Sequence, residues 1–391
     1  MKAWQKGYEL DYLLELESRY KDYNYFSLSP FSQMKKHVIA SSLADHTMEI
    51  TDDYIIESKI VKTKSPIKMF PNVVLAEKQK GDRVIESFCW VDKEKCRQRL
   101  SEYTESTWAF CWAEDFDANI TLELAGFTKV GCKFTSFAEV ISVYFKDAMT
   151  SLEPREVLKD INPSEYVGLT NMGNVPLNLI TAIHQKLLSL KLDFTNHYSN
   201  YNKNKSWSAL SLRGYTSDPA FITKPQEMND KWQEENKDVV FELQDTELRQ
   251  HFPEVNELLQ WTKTPAVHRI RFMKLAPGDG ELARHTDQVD ADSGVADGKV
   301  MRLHWPITTN DKVVFNNWLA DGKRYDVNMK VGECWYIDTR KPHRAINGGN
   351  EERIHLVIDV EATEELRNAL VTRALAMNKE MPKILKDEIY A

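Results

Sequence analysis

Between Arg269 and Asp359 the chain is a succession of short strand-like runs broken by glycine and aspartate turns, with no helical period among them. Arg269–Leu275 alternates, and Pro277-Gly278-Asp279-Gly280 turns it; Val300–Ile307, Val313–Phe315, Cys334–Ile337 and Arg353–Val360 follow. Many short strands without intervening helices close as a barrel or a double sheet. The same stretch carries His285-Thr286-Asp287 and, much later, His343. Residues two apart on a strand point the same way, so His285 and Asp287 converge on one ion, and His343 arrives from elsewhere in the fold. Two imidazoles and a carboxylate on one face of a divalent metal, with the other face open, describe a non-haem iron(II) site. An internal metal makes the double-stranded β-helix of the jelly-roll or cupin type the natural architecture.

The rest of the chain needs a second core. At 391 residues it exceeds what one core usually sustains, so the expectation is an α+β protein of two domains, 1–148 and 149–391. A net charge of −8 and a pI near 5.8 argue against broad phosphate-backbone binding, so nucleic acid is not an expected partner. The five cysteines are odd in number, scattered and without a C-x-x-C spacing, which indicates neither a disulfide framework nor a zinc site. With no run of about 18 apolar residues and no apolar leader, the reading is a cytoplasmic protein without a membrane partner. Oligomeric state leaves no mark in the sequence.

The first domain reads as mixed α/β. Tyr8–Tyr20 has helical spacing, and Tyr54–Ile56 and Val73–Leu75 are strand-like. Trp108–Trp112 reads as a buried strand. Asp115 or Asp117 then caps a helix carrying Asn119, Leu122, Leu124 and Ala125, Gly126 ends it, and a strand starts at Phe127. That order resembles the C-terminal half of the acetyl-CoA-dependent acetyltransferase fold. The resemblance implies a pyrophosphate held by backbone amides of a Gln/Arg-x-x-Gly-x-Gly/Ala loop opening a helix. Gln79-Lys80-Gly81-Asp82 has one glycine and the wrong spacing, so the expectation is an acetyltransferase-like scaffold or partner-binding module without acetyl transfer.

Further along, Ile180–Leu192 has the periodicity of a helix, and Trp207–Gly214 reads as a half-buried early strand. Leu248–Trp261 reads as one amphipathic helix on the outside of a sheet. Thr363 caps a last helix with Glu364 and Glu365 in its first turn and Leu366, Leu370, Val371 and Leu375 along its stripe.

Arg302 and His304 share one strand face against Leu303 and Trp305. Arg353 and His355 oppose Ile354, Leu356 and Ile358 in the same way. An exposed strand alternates identically; position beside the metal motif is what singles these residues out. From Arg269 onward the chain resembles the aspartyl/asparaginyl β-hydroxylase branch of the 2-oxoglutarate and iron(II) dependent oxygenases. The matching residues are Leu275-x-Pro277-Gly278, His285, Arg302-Leu303-His304, Gly332-Glu333, His343 with Asn347, and Arg353-x-x-Leu356-Val357-x-Asp359.

The resemblance implies iron ligands at His285 and His343, and Arg302, His304 and Arg353 on the carboxylates of 2-oxoglutarate; some members lack the metal carboxylate, whereas this chain has Asp287 and would carry the full triad. It also implies oxygen as co-substrate, a small-molecule or peptide substrate, and hydroxylation of an amino acid or peptidyl side chain. The family's co-substrate serine would fall near Met273, where this chain has none, so another hydroxyl or a water must serve. Asp290, Asp292 and Asp297 read as a lid or as a solvated acidic loop. His37, His46, His184, His197, His251 and His268 lack a partner at ligand spacing and read as surface or hydrogen-bonded core residues, while His355 lies beside the site. Two competing readings are a non-catalytic cupin that senses metal and 2-oxoglutarate, and a bifunctional enzyme that also acetylates. Carboxylate clamps favour the oxygenase, since a simple metal cupin needs none.

Overall fold

A computed structural model describes residues 2–3, 26–27, 47–70, 73–135, 138–148, 168–199, 201–287, 299–319, 322 and 324–374. The expected Tyr8–Tyr20 helix, the acidic loop of Asp290, Asp292 and Asp297, and Leu375 lie outside these residues. Two compact units divide the chain: Met1–Ile161 with Ala320–Lys323, and Asn162–Leu319 with Arg324–Ala391. The expected junction after residue 148 adjoins residues 149–167, also outside the described set. Among the described residues no helix is long and apolar enough to cross a membrane.

The first unit is built on a mixed sheet whose central strands are Tyr54–Ile60, Arg83–Trp90, Thr107–Trp112, Val140–Lys146 and Thr128–Phe134, in that spatial order. Arg83–Trp90 and Thr107–Trp112 run parallel, which demands a crossover, and the helix Lys93–Ser101 supplies it. The helix Phe116–Leu124 follows the sequence reading: the Asp115 carboxylate accepts the Ala118 amide at 3.0 Å, and Gly126 takes a φ of +87°. Helix Lys93–Ser101 opens on Asp92, whose carboxylate accepts the amides of Glu94 and Lys95 at 3.0 and 3.1 Å. An internal carboxylate therefore sits where a phosphate would dock on that helix.

In the second unit the elements are β1 (Thr170–Asn174), α1 (Leu177–Leu190), β2 (Trp207–Gly214), α2 (Glu254–Thr262), β3 (Ala266–Leu275), β4 (Gly280–His285), β5 (Val300–Thr308), β6 (Val313–Trp318), β7 (Arg324–Val327), β8 (Glu333–Ile337), β9 (His343–Asn347) and β10 (Arg353–Glu361). A last helix, α3, covers 364–374, and the Thr363 hydroxyl accepts the Leu366 amide at 3.3 Å. The major sheet runs β1-β8-β5-β10-β3-β2 and the minor one β4-β9-β6-β7, with two-residue strands at their margins. Every pairing within them is antiparallel. This is the double-sheet jelly roll that the short-strand pattern implied.

Strand alternation sorts the major sheet into two faces. Ile270, Phe272, Leu303, Trp305, Ile354, Leu356 and Ile358 pack with Ile180, Ile183 and Leu187 of α1, Val255 and Leu258 of α2, and Leu366 and Leu370 of α3. The opposite face, with Trp207, Met273, Trp335, Ile337 and Val357, meets Phe315 and Ala345 of the minor sheet. Covered on both sides, β2 is buried along nearly all of its length rather than half-buried as expected. The expected single helix Leu248–Trp261 is also corrected. A 3-10 turn at Arg249–His251 precedes α2, and Pro253 separates them, because proline lacks an amide donor and keeps the residue before it out of helical geometry.

Candidate metal centre and cavity

His285 ends β4 and His343 begins β9, and the two are direct cross-strand partners on the minor sheet. Their ring centroids lie 4.2 Å apart. Strand order does not place Asp287, because β4 stops at His285. Its position comes from the Asp287 amide, which donates to the Thr339 carbonyl at 2.8 Å just beyond β8. The carboxylate then lies 3.5 Å from His285 Nε2, and one ligand atom from each of His285, Asp287 and His343 falls within 4.8 Å of the others.

These donors fit a divalent metal. His285 Nδ1 meets the Ala283 carbonyl at 2.7 Å and His343 Nδ1 meets the Lys341 carbonyl at 3.0 Å. A carbonyl only accepts, so each Nδ1 carries the proton and each Nε2 offers its lone pair to the centre. Burial, then repulsion from His285, depresses His343 to about 4, so its imidazole is neutral at physiological pH. Burial opposes ionisation of Asp287, but Arg302 and both histidines outweigh it and hold the carboxyl well below the usual range. Lys341, fully buried, is anchored to Asp338 at 3.0 Å, which fixes the turn presenting His343.

The candidate co-substrate residues behave differently from one another. Arg302 forks onto Asp359, with Nε at 2.7 Å and Nη2 at 3.1 Å, and its Nη1 donates to the metal-side carboxylate of Asp287. Asp359 also faces His268 Nδ1 at 3.4 Å. The guanidinium of Arg302 is thus occupied by protein carboxylates. Arg353 is 4 % exposed and meets no carboxylate among the described residues; its Nη2 lies 2.9 Å from His355 Nδ1, and its Nε has no partner. His355 Nδ1 in turn lies 3.4 Å from His304 Nδ1, and His304 Nε2 is buried without a partner. Burial pushes Arg353 down to about 9. Burial, then the nearby Arg353, drives both His304 and His355 well below the ordinary histidine range.

A cavity of about 210 Å³ joins these groups. Met273, Leu282, Phe315 and Ala345 line its apolar part, beside His285, Asp287, His343, His304 and Arg353. Met273 faces inward where the family serine was sought, and the hydroxyls that line the cavity belong instead to Tyr198, Ser199, Tyr201, Thr286 and Thr339. Several lining residues escaped the sequence reading. His197 stacks between Tyr198 and Trp207, Tyr201 stacks on His285 at 4.5 Å, and Arg269, Arg271 and Glu227 also face the space. The available signal was the alternation Arg269, Arg271, Met273 on one face of β3, which placed two cations on the metal side of a buried strand.

The family match over residues 180–363, together with this donor set, gives the class: the chain is an oxygenase, and iron(II) and 2-oxoglutarate are its cofactors. The family comparison is narrower. Residues 180–363 match the family model described as aspartyl/asparaginyl beta-hydroxylase, a span from within α1 to the cap of α3. Among solved structures, a Pseudomonas putida prolyl-4-hydroxylase is similar at 13% identity and a TM-score of 0.30, covering 52% of this chain and 100% of that one. A Trichoplax adhaerens prolyl hydroxylase, solved with a hypoxia inducible factor oxygen degradation domain peptide fragment, gives 11% identity, a TM-score of 0.33 and coverages of 53% and 91%. A 2OG-Fe(II) oxygenase family oxidoreductase from Burkholderia pseudomallei gives 11%, 0.32, 52% and 91%. At these scores the structural likenesses add nothing to the argument.

Proposed function

We propose that the second unit hydroxylates the side chain of an amino acid, free or peptidyl, with His285, Asp287 and His343 as the iron ligands. Iron(II) with 2-oxoglutarate and oxygen supplies the oxidising power: the co-substrate leaves as succinate and carbon dioxide, and one oxygen atom enters a substrate C–H bond. The observation that carries this reading is Arg353, a buried cation that pairs with no carboxylate among the described residues, in the same cavity as three convergent candidate metal donors. A non-catalytic metal cupin has no use for such a group.

Each residue then has a task. Arg353 receives the far carboxylate of 2-oxoglutarate through its guanidinium fork, and His304 offers its unpartnered Nε2 beside it. Met273, Leu282, Phe315 and Ala345 exclude water and raise the strength of those contacts. Arg302 acts through Asp287, holding the carboxylate ionised and aimed at the two imidazoles. The hydroxyl sought near Met273 comes from the residues facing it across the cavity. We further read the first unit as a scaffold or partner-binding module rather than an acetyltransferase, supported by the Asp92 carboxylate on the amides of Lys93–Ser101.

The test is anaerobic reconstitution of the full chain with iron(II) and 2-oxoglutarate, followed by oxygen and a candidate panel. Succinate release and a gain of one oxygen mass in a substrate are the expected results. His285→Ala and His343→Ala should each lose iron and succinate together; retention of both would remove the metal assignment.

A further inference from the structure

The cavity has a second cationic pole that the co-substrate does not need. Arg271 sits on the inner face of β3, is 3 % exposed, and lines the cavity. Its contact is a long one, Nη1 to the Ile222 carbonyl at 3.4 Å; its Nε has no partner and no carboxylate pairs with it among the described residues. Arg269, two residues earlier, faces the same space. Glu227 also lines the cavity, but its carboxylate is turned to the Tyr198 hydroxyl and the Lys224 amide, both at 3.2 Å, and to the Thr223 hydroxyl.

Register separates this pole from Arg353. Across the β3–β10 ladder Arg271 stands opposite Val357, whereas Arg353 stands opposite Leu275. Four residues of strand put the two arginines about 13 Å apart along the sheet. Met273 and its cross-strand partner His355 occupy the interval. The surroundings differ: burial, then repulsion from Arg269 and Arg302, lowers Arg271 against the longer-range attraction of Asp359 and Glu227, while burial alone acts on Arg353. A buried guanidinium without a counter-charge is costly unless a ligand supplies one. The metal donors and the Arg353 pole account for 2-oxoglutarate, and the Arg271 pole remains.

We infer that Arg271 receives the carboxylate of the primary substrate, and that this substrate is a small free carboxylic acid of amino-acid size. This deepens, and rests on, the oxygenase reading above. Size follows from the volume: about 210 Å³ is below the usual 300–1,000 Å³ of pockets for larger ligands, and both molecules must share it. Charge follows from Arg271. Arg271 is a binding residue here, placing the reacting C–H toward the metal while its own fork holds the acid.

The test uses the full chain with manganese(II) in place of iron, so that binding is read without turnover. Calorimetry with 2-oxoglutarate comes first; if the wild type does not bind it, the oxygenase reading has failed and not this one. With 2-oxoglutarate bound, the twenty free amino acids and simple monocarboxylic acids are titrated, then the primary amide of each binder, then capped peptides bearing aspartate or glutamate. At least one free acid should bind, its amide should bind roughly ten- to a hundredfold more weakly, and Arg271→Gln should weaken the acid by a similar factor while leaving the amide nearly unchanged. Arg271→Leu in the metal-free protein should unfold at the same temperature as wild type or higher, as expected when an unpaired buried charge is removed. Equal binding of acid and amide, binding of acidic peptides but of no free acid, or no binding by any acid would overturn the inference. So would a markedly lowered unfolding temperature in Arg271→Leu, which would make the arginine structural.

Discussion

Two ends of one sheet face treat a buried arginine in opposite ways. At one end Arg302 is neutralised by Asp359 and Asp287, and burial, opposing its charge, is outweighed by those two carboxylates. At the other, Arg353 meets His355, with His304 behind it, and no carboxylate among the described residues, and burial lowers it. The two residues sit on adjacent strands, β5 and β10, with similar exposure. Burial is therefore not what separates them. On the function proposed above, the cation saturated by the protein's own carboxylates would hold the aim of Asp287, whereas the cation left unsaturated would be kept for a ligand that brings the missing charge.

The largest effect should come from breaking the saturated end. Arg302→Leu strips the guanidinium from the buried Asp359, which keeps only His268 at 3.4 Å, and from the partly buried Asp287. Chemical denaturation should show a loss of about 3–5 kcal/mol, with weaker iron binding alongside. A loss under about 1 kcal/mol would mean the network is ornamental.

The next effect concerns the open end in its liganded state. Arg353→Lys keeps the charge but loses the planar fork, so affinity for 2-oxoglutarate should fall by about 1–3 kcal/mol while iron affinity holds. An unaltered Michaelis constant for 2-oxoglutarate would sink the clamp.

Acid should expose the same asymmetry in the metal-free protein. His304 and His355 are depressed in the fold by burial and by Arg353. The unfolded chain consequently binds more protons below about pH 6.5, so stability rises with pH through this window and is lost as pH falls below it. Each histidine contributes up to about 1.4 kcal/mol per pH unit. Arg353→Leu should shallow that slope. In the same variant, stability at pH 7 should be unchanged or raised, because the buried cation is removed and only one neutral contact, that to His355 Nδ1, goes with it; a drop of several kcal/mol there would place Arg353 with Arg302 instead.

The smallest expected effect is none at all. Acetyl-CoA titrated into the full chain should give no heat, since Asp92 already fills the amides at the start of Lys93–Ser101. Micromolar binding would revive a second activity.

What the residues alone determined was the part written in local period. Alternation over Arg302–Trp305 and Arg353–Asp359 put the charged residues on one face and Leu303, Ile354, Leu356 and Ile358 on the other, and the latter pack under the helices. Asp115 and Gly126 bounded their helix, because capping is chemistry between near neighbours. The grouping of His285, Asp287 and His343 was legible as a motif. Its geometry was not: Asp287 is placed by the Thr339 carbonyl just beyond β8, a hydrogen bond that no spacing within the motif encodes. Whether an arginine is paired was equally illegible, since Arg302 finds Asp359 through the β5–β10 register, whereas Arg271 stands opposite Val357 and pairs with no carboxylate among the described residues. Period and capping are properties of neighbours in the chain. Charge compensation in a buried cavity is a sum over strands far apart in sequence, and the tertiary structure alone performs that sum.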